Sequence, residues 1–583
     1  MSADKLVFDL SQEVEGSAQV FVKKDWLNIL DNQNGNYSSN QCVIDTSQLS
    51  NSNKYMSYRE AFLATPMLLT VASQTLATAG NFAPAAAATS SDHAIGLKSW
   101  FGSMIHSVTL DLQGSTVIQQ TPFVNMWNSF KLMTSLSWAD VCTEGASIGF
   151  YPDDPLSWGY YNADTPAGRG VCNNTNFGAA AGGALQAVVS AAHNRYRSEL
   201  GNRGLLARQH YINYDVDGDS GTGTYAGLLT AAASSTLWKS YVSNKISGVN
   251  AANQGVFQIS IMGMIYLRHI HSFFNYMPLL KGIFMKLTLN LNNTTIAFTS
   301  AGGANTAYSL TSVQNAVGGV CPLMLASKLA DNGGAVAFGA NTYRANISVG
   351  ARCLDTTLAS TAGVAEGTLA RSIYLYVPSF SFNPVFESAY LSSPIKTIKY
   401  TDLYQYQINN IAPQGQINAL VTNGIAGIQS VLALPFYSAS TNGVLAGGAT
   451  LPAYQSPFDP AGCGPTSPLC LLNNFNVVVS GQNSIYNSIR YSWETWTQQV
   501  AGCNSVNGGL IDGLTSGLID QLGFEMEYCY HYVNCSRMLP IEQNVPKSIS
   551  IIGQNQSAQT IDLMVFVEYT SEISIDSLSA ARV

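Results

Sequence analysis

Apolar residues recur along this chain in short runs, alternating with polar ones and stopped by Gly, Asn, Pro or Ser. HSVTLDLQG (106–114), VFQISIMGMIYL (256–267), IFMKLTLNLN (283–292), RSIYLYVPSFSF (371–382), FNVVVSG (475–481), KSISIIGQ (547–554) and TIDLMVFVEYT (560–570) all have this form. A period of two sends successive side chains to opposite faces, so each run predicts a β-strand with at least one buried face. Helical periods are scarce. NMWNSFKLM (125–133), NPVFESAYL (383–391) and IRYSWETWTQQV (489–500) predict short aromatic helices. The chain reads as all-β, made of sandwich or barrel domains.

Three features occur twice in the same order. An alternating strand, a Gly turn and a Trp-bearing helix appear in SVTLDLQGSTVIQQTPFVNMWNSFKLM (107–133) and in NFNVVVSGQNSIYNSIRYSWETWTQQV (474–500). An aromatic cluster, a Met-Leu-Pro-like turn and a strand ending in Asn appear at 271–295 and 530–557. A closing strand appears at 371–382 and at 560–575. The doubling predicts two copies of one β-topology with a boundary near Ser392–Pro394. The predicted organisation is an N-terminal arm (1–16), a first unit (17–392) and a compact second unit (393–583). The first unit carries large insertions at about 140–254 and 300–352, rich in Gly, Ala, Asn and Thr. Smaller insertions in the second fall near Ser438–Pro468 and Gly502–Ile519.

Composition adds a constraint. Of 583 residues, 46% are hydrophobic, enough for several cores, but only 11% are charged, against roughly 25% in ordinary soluble proteins. A surface so poor in charge is weakly defended against association. It suits a chain covered by its own copies, and equally an extracellular β-protein with a neutral surface. The net charge of −8, with no basic block in either tail, argues against wrapping nucleic acid. No basic start followed by an apolar run opens the chain, and the most apolar stretch, Phe177 to Ala192, is short and contains Gln186. The expectation is a chain made in the cytosol without a signal peptide, with no transmembrane segment. The ten cysteines form no C-x-x-C pair. Cys463/Cys470 and Cys529/Cys535 are spaced for local bridges, although free buried thiols are expected in a reducing compartment.

Fragments that imitate catalytic motifs fail on context. SAAHN (190–194) and GDSG (218–221) put His193 and Ser220 within one insertion, too little chain for the barrel each needs. GASIG (145–149) lacks the strand before and the helix after that a nucleophile elbow requires. DVDGDSG (215–221) has Ser220 and Ala226 where a calcium loop wants Gly and Glu. GTGTYAG (221–227) follows no strand, and Asp153–Asp154 are adjacent in a turn. His269 and His271 share a face of a predicted strand but lack further ligands. Trp493 and Trp496 read as core anchors. No catalytic, cofactor-binding or metal residue is assigned, and no cofactor.

FFNYMPLLKGIFMKLTLNLN (273–292) resembles a block in the major capsid proteins of virophages, polinton-like viruses and polintons: an aromatic pair, a Leu-Pro-Leu-type turn, a Gly and a strand running to Asn. Met277 stands where that family usually has Leu. IYLYVPSFSFNPVFESAYLSSPIKTIKYTDLYQYQI (373–408) and RMLPIEQNVPKSISIIGQN (537–555) are similar too. The resemblance implies two tandem eight-stranded jelly rolls with long inserted loops and a few short helices. It implies a non-enzymatic major capsid protein, located in the virion, whose homotrimers form pseudo-hexameric capsomers tiling an icosahedral shell. The partners implied are the chain itself, neighbouring capsomers, and penton and minor capsid proteins, without sequence-specific nucleic acid binding. The competing readings are a minor capsid protein and a tandem β-sandwich binding carbohydrate or a receptor through Trp158, Tyr160 and Tyr161.

Overall fold

The computed structural model describes residues 20–49, 54–78, 81–84, 93–152, 209–212, 246–249, 254–300, 303–304, 308–327, 337–338, 341–350, 352–359, 372–439, 445, 447–457, 459, 461–462, 464–467, 469–485, 490–500, 517–536 and 544–576. The arm, most of the 140–254 insertion, His193, Ser220, the loop aromatics Trp158, Tyr160 and Tyr161, Asp153–Asp154 and the 215–227 motifs lie outside these residues.

The second half forms two four-stranded antiparallel sheets. One runs in the order Ile395–Ile411, Ile561–Asp576, Ile428–Tyr437, His531–Asn534. The other runs Gln416–Ile425, Lys547–Asn555, Leu472–Val479, Gln482–Asn483. Numbered along the chain, these are orders 1-8-3-6 and 2-7-4-5, the two interlocked Greek keys of a jelly roll.

The first half repeats this order. Phe21–Leu30, Tyr374–Phe382, Phe62–Thr78 and Gln254–Tyr266 are successive antiparallel neighbours, again strands 1-8-3-6. Gln41–Asp45, Met285–Leu291, Ile105–Leu112 and Ser115–Ile118 make the facing sheet, 2-7-4-5. The chain is therefore two eight-stranded jelly rolls in tandem.

Local chemistry explains the repeat. The fourth and fifth strands of each roll meet through a two-residue turn, Gln113-Gly114 (φ 49° and 78°) in the first and Ser480-Gly481 (φ 48° and 83°) in the second. Positive φ at both positions is the type I′ geometry that matches strand twist, and glycine takes the second place without strain. The seventh strands, MKLTLNL and KSISIIGQN, alternate buried and partly exposed residues along their whole length, so a one-residue slip would turn the core face outward. Pro66 interrupts the 17-residue third strand at no cost to the ladder. Residues 62–64 pair with Tyr374–Tyr376 and residues 67–72 with Arg344–Val349, and Pro66 falls in the gap between those two neighbours.

Part of the 300–352 insertion is sheet. Tyr308–Asn315 and Asn341–Val349 flank Thr294–Ser300 and extend the first roll's larger sheet from its third strand, to which Asn341–Val349 pairs. The helices predicted at 125–133, 383–391 and 489–500 form as Val124–Ser135, Pro384–Leu391 and Trp493–Val500. The strand predicted through His269 and His271 stops earlier: Leu267–Ile270 is a helical turn, and His271 is the extended residue after it. The two imidazoles consequently go to different partners, His269 to Glu144 and His271 to Asp402.

Candidate functional site

The densest chemistry among the described residues lies along the seam between the rolls. Helix Val124–Ser135, between the fifth and sixth strands of the first roll, has ten of its twelve residues buried. A helix buried on nearly every side must find partners for its polar residues as well as for its apolar ones. On one side, Asn125 Nδ2 donates to Ser103 O (3.3 Å) and Ser129 Oγ lies 3.0 Å from Ser99 Oγ, both in the first roll. On the other, Trp127 meets Phe566 (6.0 Å between ring centroids), and Phe130 meets Tyr530 edge-on (5.2 Å) and Tyr532 stacked (5.6 Å). Lys131 Nζ lies 3.5 Å from Glu568 Oε1 and 5.1 Å from the Trp127 ring, while Ser430 Oγ donates to Glu568 Oε2 (2.7 Å).

The seam continues at the start of the second roll. Tyr400 OH donates to Val117 O (2.9 Å) and Thr121 Oγ1 to Leu403 O (3.0 Å). Ser272 Oγ donates to Thr401 O (2.6 Å) and accepts from Thr401 N (3.0 Å). Phe273 packs edge-on against Tyr400 (5.0 Å). His271 Nδ1 accepts from Phe273 N (3.2 Å), which leaves the proton on Nε2 to reach Asp402 Oδ1 (3.3 Å). A narrow cleft lined by Val108, Thr121, Val124, His271, Asp402 and Leu403 marks this line. Lys98, 1% exposed, donates from Nζ to Ser456 O (2.9 Å) and Ala461 O (3.2 Å) in the second roll.

The connection is also fixed. Asn383 caps the linker helix by accepting from Val385 N, and Pro384 supplies its first residue. Tyr55 OH donates to Glu387 (2.9 Å), Tyr390 OH to Leu279 O (2.7 Å), and Tyr390 stacks on Phe382 (5.3 Å). The helix is thus anchored to the roll it leaves.

The look-alike at 145–149 lacks the context of a nucleophile elbow. Gly145 ends a π turn and Ala146–Ile148 form one helical turn, entered from helix Trp138–Asp140 rather than from a strand. Trp496 is 1% exposed and stacks on Phe524 (5.4 Å), and Trp493 packs beside the same ring (5.7 Å). Among the described residues, no three His, Cys, Asp or Glu converge as metal ligands, and no helix is long and apolar enough to cross a membrane. Cys42, Cys321, Cys353, Cys470, Cys529 and Cys535 are free thiols.

Three histidines are held neutral. Burial pushes His531 down to about 3 and His106 and His269 down to about 4. His531 donates from Nδ1 to Cys529 O (2.9 Å) and accepts at Nε2 from Leu472 N (3.4 Å), so a second proton displaces a backbone bond. The unfolded chain takes up these protons near pH 6.5, the folded chain only below pH 4. Stability is therefore complete above about pH 6.5 and falls as pH drops toward 4, by up to roughly 1.4 kcal/mol per pH unit for each histidine. Thermal melts at pH 7 and pH 5 should show the lower midpoint at pH 5, with the difference smaller in His531→Gln. Equal midpoints in the wild type would refute it.

No family model matches the sequence, and no curated protein matches it. Solved structures do resemble it. A chain of the Sputnik virophage structure shares 11% identity at a TM-score of 0.45, the match covering 97% of this chain and 89% of that one. The mavirus major capsid protein shares 9% at 0.44 (96% and 89% covered), and the Faustovirus major capsid protein 9% at 0.42 (94% and 90%). At these scores the likenesses carry no weight beyond the strand order, which defines the fold by itself.

Proposed function

We propose that this chain is a shell-building subunit, a major capsid protein whose three copies close into a pseudo-hexagonal capsomer. One observation carries the reading: two rolls of identical strand order are locked to each other by a buried seam. Two similar walls held at a fixed angle give three chains six near-equal walls, the shape that tiles a closed surface. The low charge of the chain suits a surface lost to neighbours. We assign residues 17–392 and 393–583 to the two rolls and 1–16 to an arm. The location is the virion, the further partners are neighbouring capsomers, penton and minor capsid proteins, and the role is non-enzymatic.

The purified chain is expected to run at three times its mass of 62.3 kDa in mass photometry, and to show six-lobed rings in negative stain. A stable monomer at micromolar concentration, or glycan binding by that monomer, would instead favour the binding-module reading.

A further inference from the structure

Spacing in the sequence allows local bridges at Cys463/Cys470 and Cys529/Cys535, but the second roll brings a different pair together. Cys463 lies outside the described residues. Cys529 and Cys535 take different partners: Cys529 Sγ meets Glu525 O (3.6 Å), whereas Cys535 Sγ meets Val533 O (3.8 Å) and Ser484 Oγ (4.0 Å). The segment that enters the fourth strand runs beside the one that enters the sixth. Thr466 N donates to Glu527 O (3.1 Å), Cys529 N to Thr466 Oγ1 (2.9 Å) and Leu472 N to His531 Nε2 (3.4 Å). Between these ties, the backbone N–H groups of Leu469 and Cys470 both donate to Cys529 Sγ. Tyr437 OH donates to Cys470 Sγ. A sulfur bonded to the other cysteine's own N–H is within the span of a disulfide. The two strands that follow, Leu472–Val479 and His531–Asn534, belong to opposite sheets of the roll.

We infer that Cys470 and Cys529 are a latent disulfide, closed by exchange with a low-molecular-weight disulfide such as oxidised glutathione once the chain leaves a reducing compartment. The bond staples one sheet of the second roll to the other. Both thiols are 0% exposed, and burial pushes Cys529 up to about 12 and Cys470 upward as well, so the closed roll protects them. Exchange starts where the segment reaches the surface, at Leu469, which is 52% exposed and held at φ 57°, a conformation leucine rarely takes. When this segment opens, the Cys470 thiolate attacks one glutathione sulfur and releases the other glutathione as thiolate. As it closes again, the Cys529 thiolate attacks Cys470 Sγ and expels the second glutathione. Two cysteine sulfurs are oxidised and one glutathione disulfide is reduced to two thiols. The bond forms within one chain, so the inference holds whether or not three chains close into a capsomer.

The test incubates the native full-length chain overnight with excess oxidised glutathione, then denatures it, alkylates the remaining thiols and weighs it intact by mass spectrometry. The wild type and the control Cys535→Ala should each carry two fewer alkyl groups than their unoxidised samples. Cys470→Ala and Cys529→Ala should each fail to lose that pair. Either variant alone decides the pairing should the other fail to fold by circular dichroism. Oxidation should also raise the melting midpoint of the wild type by roughly 2–4 °C, and leave that of either variant unchanged. A wild type that keeps every thiol overturns the inference. So does a variant that still loses two, because the bond then joins other cysteines.

Discussion

Replacing Phe130 by alanine is expected to destabilise the folded chain by about 3–5 kcal/mol, the range for deleting a fully buried aromatic side chain. Phe130 is 0% exposed and stands between Tyr530, Tyr532 and Trp496 of the other roll. Little can collapse into the space it leaves, because its neighbours sit on strands and a helix already fixed by their own ladders. The loss should be shared, with both rolls giving way in one transition, because the apolar core runs through the seam without a break. Phe130→Leu, which restores most of the volume, should recover much of the loss. Denaturant titration followed by tryptophan fluorescence reads both. A Phe130→Ala cost below about 1 kcal/mol, or two separate transitions in the wild type, would mean that the rolls are independent and the seam contributes little.

The parts of this fold that could be read from sequence are those whose signal is local. MKLTLNL and KSISIIGQN alternate because one face is core, and the paired positive-φ turns advertise themselves through Gly114 and Gly481. The doubled strand–turn–helix of 107–133 and 474–500 corresponds to the fourth and fifth strands and the following helix of each roll. Elsewhere the local signal misleads. Phe62–Thr78 is paired on both edges and buried on both faces through residues 65–72, so it shows no alternation, and Pro66 argues against a strand until its unpaired gap is seen. The apolar run into Leu267 continues past the strand because a helical turn buries Leu267 and Ile270 as well as a strand would. The aromatic clusters matched between 271–276 and 530–533 occupy different places. Phe273–Tyr276 is a helical turn after the sixth strand, whereas His531–Asn534 is that strand itself. The Gly- and Asn-rich 300–352 segment reads as loop, although Asn341–Val349 finds a ladder on a strand some 270 positions earlier. The seam is the least legible part, since Lys98 and Ser456 are separated by 358 residues and no periodicity connects them.

The asparagine that ends each seventh strand sets the second large prediction. Asn555 is 0% exposed. Its Nδ2 faces the carbonyls of Ile411 (3.0 Å), Ala412 (3.1 Å) and Gln559 (2.9 Å), and its Oδ1 accepts from Ser557 N (2.8 Å) and Ser557 Oγ (2.7 Å). One side chain thus closes the turn after the first strand and the turn before the eighth. Asn292 does related work in the first roll, donating to Ser103 O (3.2 Å) and Val320 O (2.8 Å). Each buried group left without a partner costs about 1–3 kcal/mol, so Asn555→Ala should cost roughly 3–5 kcal/mol. Asn555→Asp sharpens the point. It keeps the volume and the acceptor for Ser557, but it removes the donor and aims a second carboxylate oxygen at three carbonyls. If hydrogen bonding is what holds the turns, the aspartate should be worse than alanine at pH 7. If the side chain merely fills space, aspartate should be nearly neutral. Denaturation midpoints of the two variants, measured side by side, decide between these accounts.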